Sequence, residues 1–442
     1  GGTASSKIAT RNAVQTVMSG PASGVIAAAY TANSAGFANV VTYDMGGTST
    51  DVALIQDGVP LISSELELEY AMPIHVPMVD VHTVGAGGGS IANVNEAGML
   101  QIGPRSAGAI PGPICFGRGG KEPTITDANL VLGRLNPQKL LGVDKHVTLA
   151  HVAEAIESQV GRLLGLGAEE AAAAILRVAN DKMAGAVRLV SLSRGHDPRD
   201  FALLAFGGAG PLHAVALAKE LNIPDVLIPA RPGLTNAFGC LVADLRRDFV
   251  KTVNKPLAAL TGDQLNTILD EHVAEGRRVI AAEGVKISDV VVIHTVDMQF
   301  QGQTHVLNVI MPQGRADPAT LHVAFAEAYW QRFRVALPEI KPVVVNLSTA
   351  VIGKREALSV SILVGKDMAS TIDGALTGSR RVWFEEGWMD TPIYQRDRLP
   401  LNSEFVGPAI LEQLDATTVV EPGDLARIDA VGNLVIRVVG RT

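Results

Sequence analysis

The sequence predicts an α/β protein that closes with a small β-rich domain, and three stretches carry that reading. "VVTYDMGGTSTDVALI" (40–55) is two apolar strands about a glycine loop. "FALLAFGGAGPLHAVALAKELNI" (201–223) is a strand, a tight loop and a helix, and from about residue 343 strands and turns alternate, as in "RVWFEEGWMDTPIYQRD".

In chain order, residues 1–38 form an irregular lead-in followed by a small-residue helix around Ser23 to Asn33. The stretch from Asn12 to Tyr43 carries no formal charge, yet Gly20, Pro21, Gly24 and Gly36 and many hydroxyl and amide side chains interrupt it. That composition suits close helix packing and not a membrane span. Residues 39–250 form the core. It begins with strands at about 39–45 and 51–56, the Asp57-Gly58 hairpin turn and a third strand in "VPLISSELE". Residues 80–134 are a Gly/Pro-rich insertion too long to be an idle loop. Helices follow at about 148–164 and 168–194, the second with an apolar stripe at Ile175, Ala179, Met183 and Val187 and a stop at Gly195. Residues 251–342 are expected as an α+β domain, its first helix opened by a Thr261/Gln264 capping box. Residues 343–442 are expected as the β-rich C-terminal domain.

Composition narrows function. A chain of 442 residues, 47% hydrophobic and 19% charged, has material for roughly two to four domains with sizeable cores. A formal net charge of −8 offers no electrostatic grip on nucleic acid or an anionic membrane. Two cysteines, Cys115 and Cys240, suit a reducing compartment better than a disulfide framework, so the expected location is the cytoplasm. The opening "GGTASSKIATRN" has neither the Met nor the first strand expected of a complete α/β enzyme. The chain reads as the back portion of a longer protein, or as a subunit whose front half is a separate polypeptide.

The loop at 44–51 lacks the Gly-Lys-Ser/Thr ending and following helix of a Walker A motif, and the strand–turn–helix context of a dinucleotide fingerprint. Two readings stay open: a glycine-rich turn with ordinary carboxylates, or an anion-binding concavity of backbone N–H groups. In the second, Gly46 and Gly47 admit phosphate oxygens, Thr48, Ser49 and Thr50 donate hydrogen bonds, and Asp44 and Asp51 hold a divalent cation. "FGGAGPLHA" (206–214) follows a strand and opens a helix, but the acidic residue that binds a ribose in dinucleotide sites is missing. What fits is an adenosine lying across the glycines near a helix N-terminus.

Together these two loops resemble the phosphate and adenosine loops of the ribonuclease H-like superfamily of actin, sugar kinases and heat-shock chaperone ATPases. More narrowly, "SGPASGV", "YDMGGTSTDVALI", "VDVHTVGAGGGSIA", "GPRSAGAIPGPICFGRGG", "PTITDANLVLGRL", "FGGAGPLHA", "PGLTNAFGCLVADLRRD" and "GPAILEQLDATTVVEPG" resemble, in order, the hydantoinase A/oxoprolinase family. The family's N-terminal region, which carries a first DxGGT loop, has no counterpart in this sequence. The resemblance therefore implies a partial ATPase core completed by that region or by a separate chain, with a hydantoinase B-type subunit as further partner.

The resemblance also implies a chemistry: ATP and Mg²⁺ used to phosphorylate a poorly reactive carbonyl oxygen, so that a cyclic amide opens by hydrolysis. Asp44, Asp51 and Thr48 match the catalytic phosphate motif, Gly46, Gly47, Thr48 and Ser49 its phosphate-binding part, and Gly207, Gly208 and Gly210 the adenosine loop. The alternative is the ATP-handling subunit of an acetone/acetophenone-type carboxylase. An actin-like or chaperone-like ATPase is a third reading, against which the loop-rich 80–134 and the β-rich tail argue, and a non-catalytic scaffold is a fourth, suggested by the missing first loop.

A second constellation, Asp80, His82, Cys115 and Asp127, has the side-chain chemistry of a Zn²⁺ or other transition-metal site, although its spacing matches no standard zinc motif. The competing reading is polar residues buttressing an irregular loop. "GAGGGS" (85–90) either holds a second anion or lets two backbones pack closely. His213 reads as a helix-face residue and His196 as part of a turn. The polar residues of "DMQFQGQTH" (297–305) fit a substrate face or simple alternation on a half-buried sheet.

Overall fold

A computed structural model describes residues 10, 13–63, 66–68, 72–74, 78–140, 143, 145–312, 314–365 and 367–439. Most of the expected lead-in before Ala13, and residues 64 and 65 of the expected third strand, lie outside the described residues. The chain divides into two compact units: Met18–Leu241 with Ser359–Thr442, and a second centred on Val242–Leu358.

The larger unit is built on a nine-stranded sheet. Its centre is β1 (Val40–Met45), which pairs antiparallel with β2 (Thr50–Gln56) on one side and parallel with β4 (Ala202–Phe206) on the other. Beyond β2 lies β3 (Val81–Val84), and beyond β4 lie β5 (Asp225–Ile228) and β6 (Leu434–Arg437). β1, β2 and β4 are buried on both faces, which is why they read as nearly unbroken apolar runs. The turn after β2 places Asp57 at φ 51 and Gly58 at φ 76, the paired left-handed conformation of a two-residue hairpin.

Helices cover both faces. α1 (Ser19–Ser34) packs through Ala22, Val25, Ala28 and Ala32 onto Val40, Ala53 and Leu204. Its small residues serve close approach: a Cβ on Gly24 would stand 2.3 Å from Asn236 Oδ1 and 2.9 Å from the Phe206 ring. On the other face α3 (Ala168–Leu192) and α4 (Gly210–Leu221) share a core with Val41, Tyr43 and Leu203. The stripe Ile175, Ala179, Met183, Val187 is fully buried, and the helix is followed by Gly195 at φ 80. No helix among the described residues is long and apolar enough to cross a membrane.

The smaller unit is a four-stranded antiparallel sheet in the order Leu245–Pro256, Pro342–Lys354, Asp289–Phe300, Leu307–Ile310. The Thr261/Gln264 capping box opens its helix Gly262–Ala282. Two features of the tail differ from the sequence reading. Pro342–Lys354 is an interior strand of this sheet, paired on both edges. The strands Leu425–Ile428 and Leu434–Arg437 extend the large sheet, while Leu376–Phe384, Gly387–Gln395, Ala409–Glu412 and Thr417–Val420 form a separate sheet within the same unit. Alternating strands and turns give the element type and not the sheet each strand joins, because the partners are distant in sequence.

Candidate active site

The parallel pairing of β1 with β4 sets Asp44 opposite Phe206, so the loops that follow the two strands emerge side by side. A crevice at the carboxyl ends of neighbouring strands is the usual ligand position in open α/β sheets. Gly46, Gly47, Thr48 and Gly208 are exposed there, and Ser49 and Gly207 half-buried. Nothing lies within 4 Å of a Cβ placed on Gly47, and only Ser49 O, at 4.0 Å, approaches one on Gly46. One face of the loop, at Gly46 and Gly47, is thus open to an incoming group.

Asp44 joins the two loops. Gly207, at φ 78, passes so close that a Cβ would stand 2.4 Å from Asp44 Oδ1 and 2.5 Å from Met45 O, while Ala209 N–H donates to Met45 O at 3.1 Å. That crowding and the left-handed backbone together require glycine at 207. Across the hairpin Asp44 faces Asp51 directly. Asn236 Nδ2 donates to Asp44 Oδ2 at 3.0 Å, and Thr83 Oγ1 donates to Asp51 Oδ1 at 2.6 Å. Burial pushes both carboxyls above the ordinary aspartate range, and the charge of Asp51 pushes Asp44 further. Two adjacent carboxylates with raised pKa favour a proton or a cation between them.

The "GAGGGS" segment is a brace. A Cβ on Gly87 would stand 2.6 Å from Ser49 N, Thr48 C and Thr48 N, so the two backbones touch. Gly88 N–H donates to Gly46 O at 3.0 Å, Gly89 N–H to Gly47 O at 2.6 Å, and Thr50 Oγ1 to Ala86 O at 2.5 Å. Lys182 of α3 secures the far side by donating to Gly85 O at 3.0 Å and Ile102 O at 2.9 Å. Of the two readings of this segment, backbone packing describes its contacts.

The Asp80, His82, Cys115 and Asp127 set is not assembled as a metal centre. Asp80 forms an ion pair with Arg194. Asp127 is fully buried and accepts hydrogen bonds from Ile114 N (3.2 Å), Cys115 N (2.9 Å), Thr124 N (3.0 Å) and Thr124 Oγ1 (2.8 Å), which occupies its lone pairs. It caps α2 (Ile125–Val131) and ties the preceding turn to it. Burial, aided by the nearby Asp127 charge, pushes the Cys115 thiol far up, so the thiolate a metal needs is disfavoured. His82 lies on β3 opposite Val52. Among the described residues no three His, Cys, Asp or Glu are placed to share an ion. The sequence placed these residues in one loop-rich stretch, but hydrogen bonds to the backbone had first claim on the acid at its centre.

Two polar residues at the crevice escaped the sequence reading. Asn236 orients Asp44, and Asp415 lies against the second loop. A Cβ on Gly233 would stand 2.3 Å from Asp415 Oδ2, one on Gly208 would stand 3.5 Å from Asp415 O, and Asp415 Oδ2 is buried without a hydrogen-bond partner. Both belong to motifs of the family resemblance, "PGLTNAFG" and "LEQLDATTVV", but neither motif has a glycine pattern that singles out its polar residue.

Comparison with known proteins gives the family. The hydantoinase/oxoprolinase family model matches residues 1–249, and the hydantoinase/oxoprolinase C-terminal domain matches residues 254–436. The chain belongs to the hydantoinase/oxoprolinase family. Its family relatives include the caprolactamase subunit alpha of Pseudomonas jessenii, 36% identical over 97% of this chain and 62% of that protein. The acetophenone carboxylase gamma subunit of Aromatoleum aromaticum is 33% identical over 97% of this chain and 60% of that protein. The crystal structure of the ATP-dependent caprolactamase superposes with a TM-score of 0.83 at 34% identity, covering 95% of this chain and 61% of that one. Acetone carboxylase in its nucleotide-free structure superposes with a TM-score of 0.74 at 27% identity, covering 95% and 61%. The chain thus spans about three fifths of these relatives' length, within the actin-like ATPase fold class expected from the sequence.

Proposed function

We propose that the chain carries part of the ATP site of an enzyme that opens a cyclic amide of hydantoin, oxoproline or lactam type by hydrolysis. The observation that carries this reading is Asp44, which contacts the second glycine loop while facing Asp51 across the first. Gly47, Thr48 and Ser49 offer backbone N–H and hydroxyl donors to the phosphates, while Gly46, whose N–H donates to Ser49 O at 3.1 Å, supplies an open backbone face. Of the adenosine loop Gly207, Gly208 and Gly210, Gly208 is exposed to the adenosine while Gly207 and Gly210 let the loop close on β1, at the N-terminus of α4, whose partial positive charge favours anions. Asp44 and Asp51 would hold Mg²⁺, which when bound supplies charge neutralisation at the phosphates.

In the reaction the γ-phosphoryl group passes to the amide oxygen and ADP leaves. Water then adds to the carbonyl carbon, the C–N bond breaks with a proton taken up by the leaving nitrogen to give an acyl phosphate, and a second water hydrolyses that to the open-chain carboxylate and inorganic phosphate. The work of these residues is alignment and charge stabilisation. The complete enzyme includes the family's N-terminal region, in the same or a separate chain, and a hydantoinase B-type subunit. The designations "subunit alpha" and "gamma subunit" among the relatives support such partners. The cytoplasm is the compartment that suits two unpaired cysteines.

The second reading, the ATP-handling subunit of a ketone carboxylase, is supported by the likeness to the acetophenone and acetone enzymes. Phosphate release by the complete enzyme separates the two when hydantoins, oxoproline and lactams are compared with ketones plus bicarbonate. Stimulation by a cyclic amide, lost in Asp44→Ala, supports the first. Stimulation only by ketone with bicarbonate overturns it in favour of the second.

A further inference from the structure

Away from the glycine loops, the larger unit holds a cavity of about 1060 Å³ between α3, α4 and the segments 383–386 and 421–422. Arg134 lines it. This arginine is 9% exposed, and its Nε is buried with no hydrogen-bond partner. The compensating charge near it is Glu421, which Lys219 already holds at 2.9 Å, and a buried guanidinium so weakly compensated costs several kcal/mol unless something pairs with it. Its backbone is fully engaged, N–H donating to Asn129 O and O accepting from Arg380 Nη2, so the turn that carries the side chain is fixed. The other cationic residues do not meet the same need: Lys219 is committed to Glu421 at 2.9 Å and Asp424 at 3.1 Å, and Arg177 is exposed to solvent.

The remaining lining is strongly acidic. Glu170, Asp181, Glu220, Glu385, Glu386 and Glu421 face three cations, Arg134, Arg177 and Lys219. A dianion such as phosphate would enter against an excess of like charge. A molecule with one carboxylate and one ammonium group meets both demands.

We propose that this cavity binds a small zwitterionic amino acid, its carboxylate on Arg134 and its ammonium among the acidic residues. The cavity reaches the nucleotide side of the unit in one hydrogen bond. Asn180 lines it, and Asn180 Oδ1 accepts from Nδ1–H of His213 at 2.8 Å, on the helix that opens at Gly210. Asn129 Nδ2 lies 3.3 Å from the other ring nitrogen. The product of the proposed amide hydrolysis is itself a zwitterion of this class. The assignment of the cavity stands without that reading, because the test uses no nucleotide and no turnover.

The test is isothermal titration calorimetry of the chain with 6-aminohexanoate and with glutamate, alongside hexanoate, hexylamine and inorganic phosphate. Saturable one-site binding of a zwitterionic probe is expected, weakened at least tenfold by Arg134→Met and to a smaller extent by Arg134→Lys. Hexanoate and hexylamine should each bind at least tenfold more weakly than 6-aminohexanoate. The melting temperature of Arg134→Met without ligand should equal or exceed that of wild type, because a weakly compensated buried charge is gone. Should Arg134→Met fail to fold, Arg134→Lys and the single-charge probes carry the test. Absence of saturable binding to wild type, undiminished binding by Arg134→Met, or phosphate binding in preference to the zwitterions would each overturn the proposal.

Discussion

Gly47 and Gly87 lie on opposite sides of the first glycine loop, proposed above to bind phosphate, and alanine should act on them in opposite ways. At Gly47 a methyl group enters open space, and the change costs the fold little, within about 0.5 kcal/mol as for other surface substitutions. It does occupy the face offered to a phosphate. At Gly87 the methyl meets three backbone atoms of Thr48 and Ser49 at 2.6 Å, and backbone cannot rotate out of the way as a side-chain tip can. The loop must shift by about 1 Å, a typical overpacking cost of about 1–3 kcal/mol. The adjoining bonds from Gly88 and Gly89 to Gly46 O and Gly47 O are then strained, at up to about 1 kcal/mol each. A displacement of that size at a reacting group lowers turnover about 10²-fold. Thermal melts and substrate-stimulated phosphate release by the complete enzyme separate the two effects. Gly47→Ala should keep its melting temperature and lose ATP affinity, whereas Gly87→Ala should lose stability and kcat together. Wild-type kinetics in Gly87→Ala would refute the brace, and wild-type ATP affinity in Gly47→Ala would refute phosphate binding at this loop.

Asp44→Asn should lower ATP turnover by about 10²–10³-fold. Its melting temperature should hold or rise, since a carboxylate disfavoured by burial and by Asp51 is replaced by a neutral amide; a large fall in melting temperature would contradict the described electrostatics. Asp127→Ala leaves four donors without their acceptor and should destabilise the larger unit by about 3 kcal/mol or more, with no change in bound transition metal measured by elemental analysis. Burial and the Arg134 charge hold His213 down at about 3, against an ordinary value of 6.5, so the unfolded chain takes up this proton first as pH falls. Its contribution is complete above pH 6.5 and is lost by about 1.4 kcal/mol per unit as pH drops toward 3. Denaturant melts between pH 7 and 4 should therefore show a steeper decline for wild type than for His213→Gln, and parallel curves would show that the ring is not held neutral.

What the sequence made legible follows from the range of the interactions. β1, β2, β4 and the helices after them are set by local apolar period and by turn residues such as Asp57-Gly58, and they stand where the pattern placed them. The glycine loops were legible because open backbone between strands leaves a local signature. The pairing that makes a site of them, Asp44 against Gly207, joins residues more than 160 positions apart in the sequence and shows only in the fold. Asn236 and Asp415 were hidden for the same reason. Asp127 shows the converse: a buried acid with backbone partners and a metal-binding acid look alike until hydrogen bonds are counted.

The large sheet carries a consequence for how the chain is made. β5 is made well before β6, the strand that covers its outer edge, with Val242–Leu358 of the smaller unit produced between them. Throughout that interval an apolar edge of parallel strand is exposed, the type of surface on which nascent chains join one another. A chain ending before Leu425 never covers it. C-terminal truncation should yield inclusion bodies and not a smaller soluble enzyme, and fusion partners belong at a place other than the last strand.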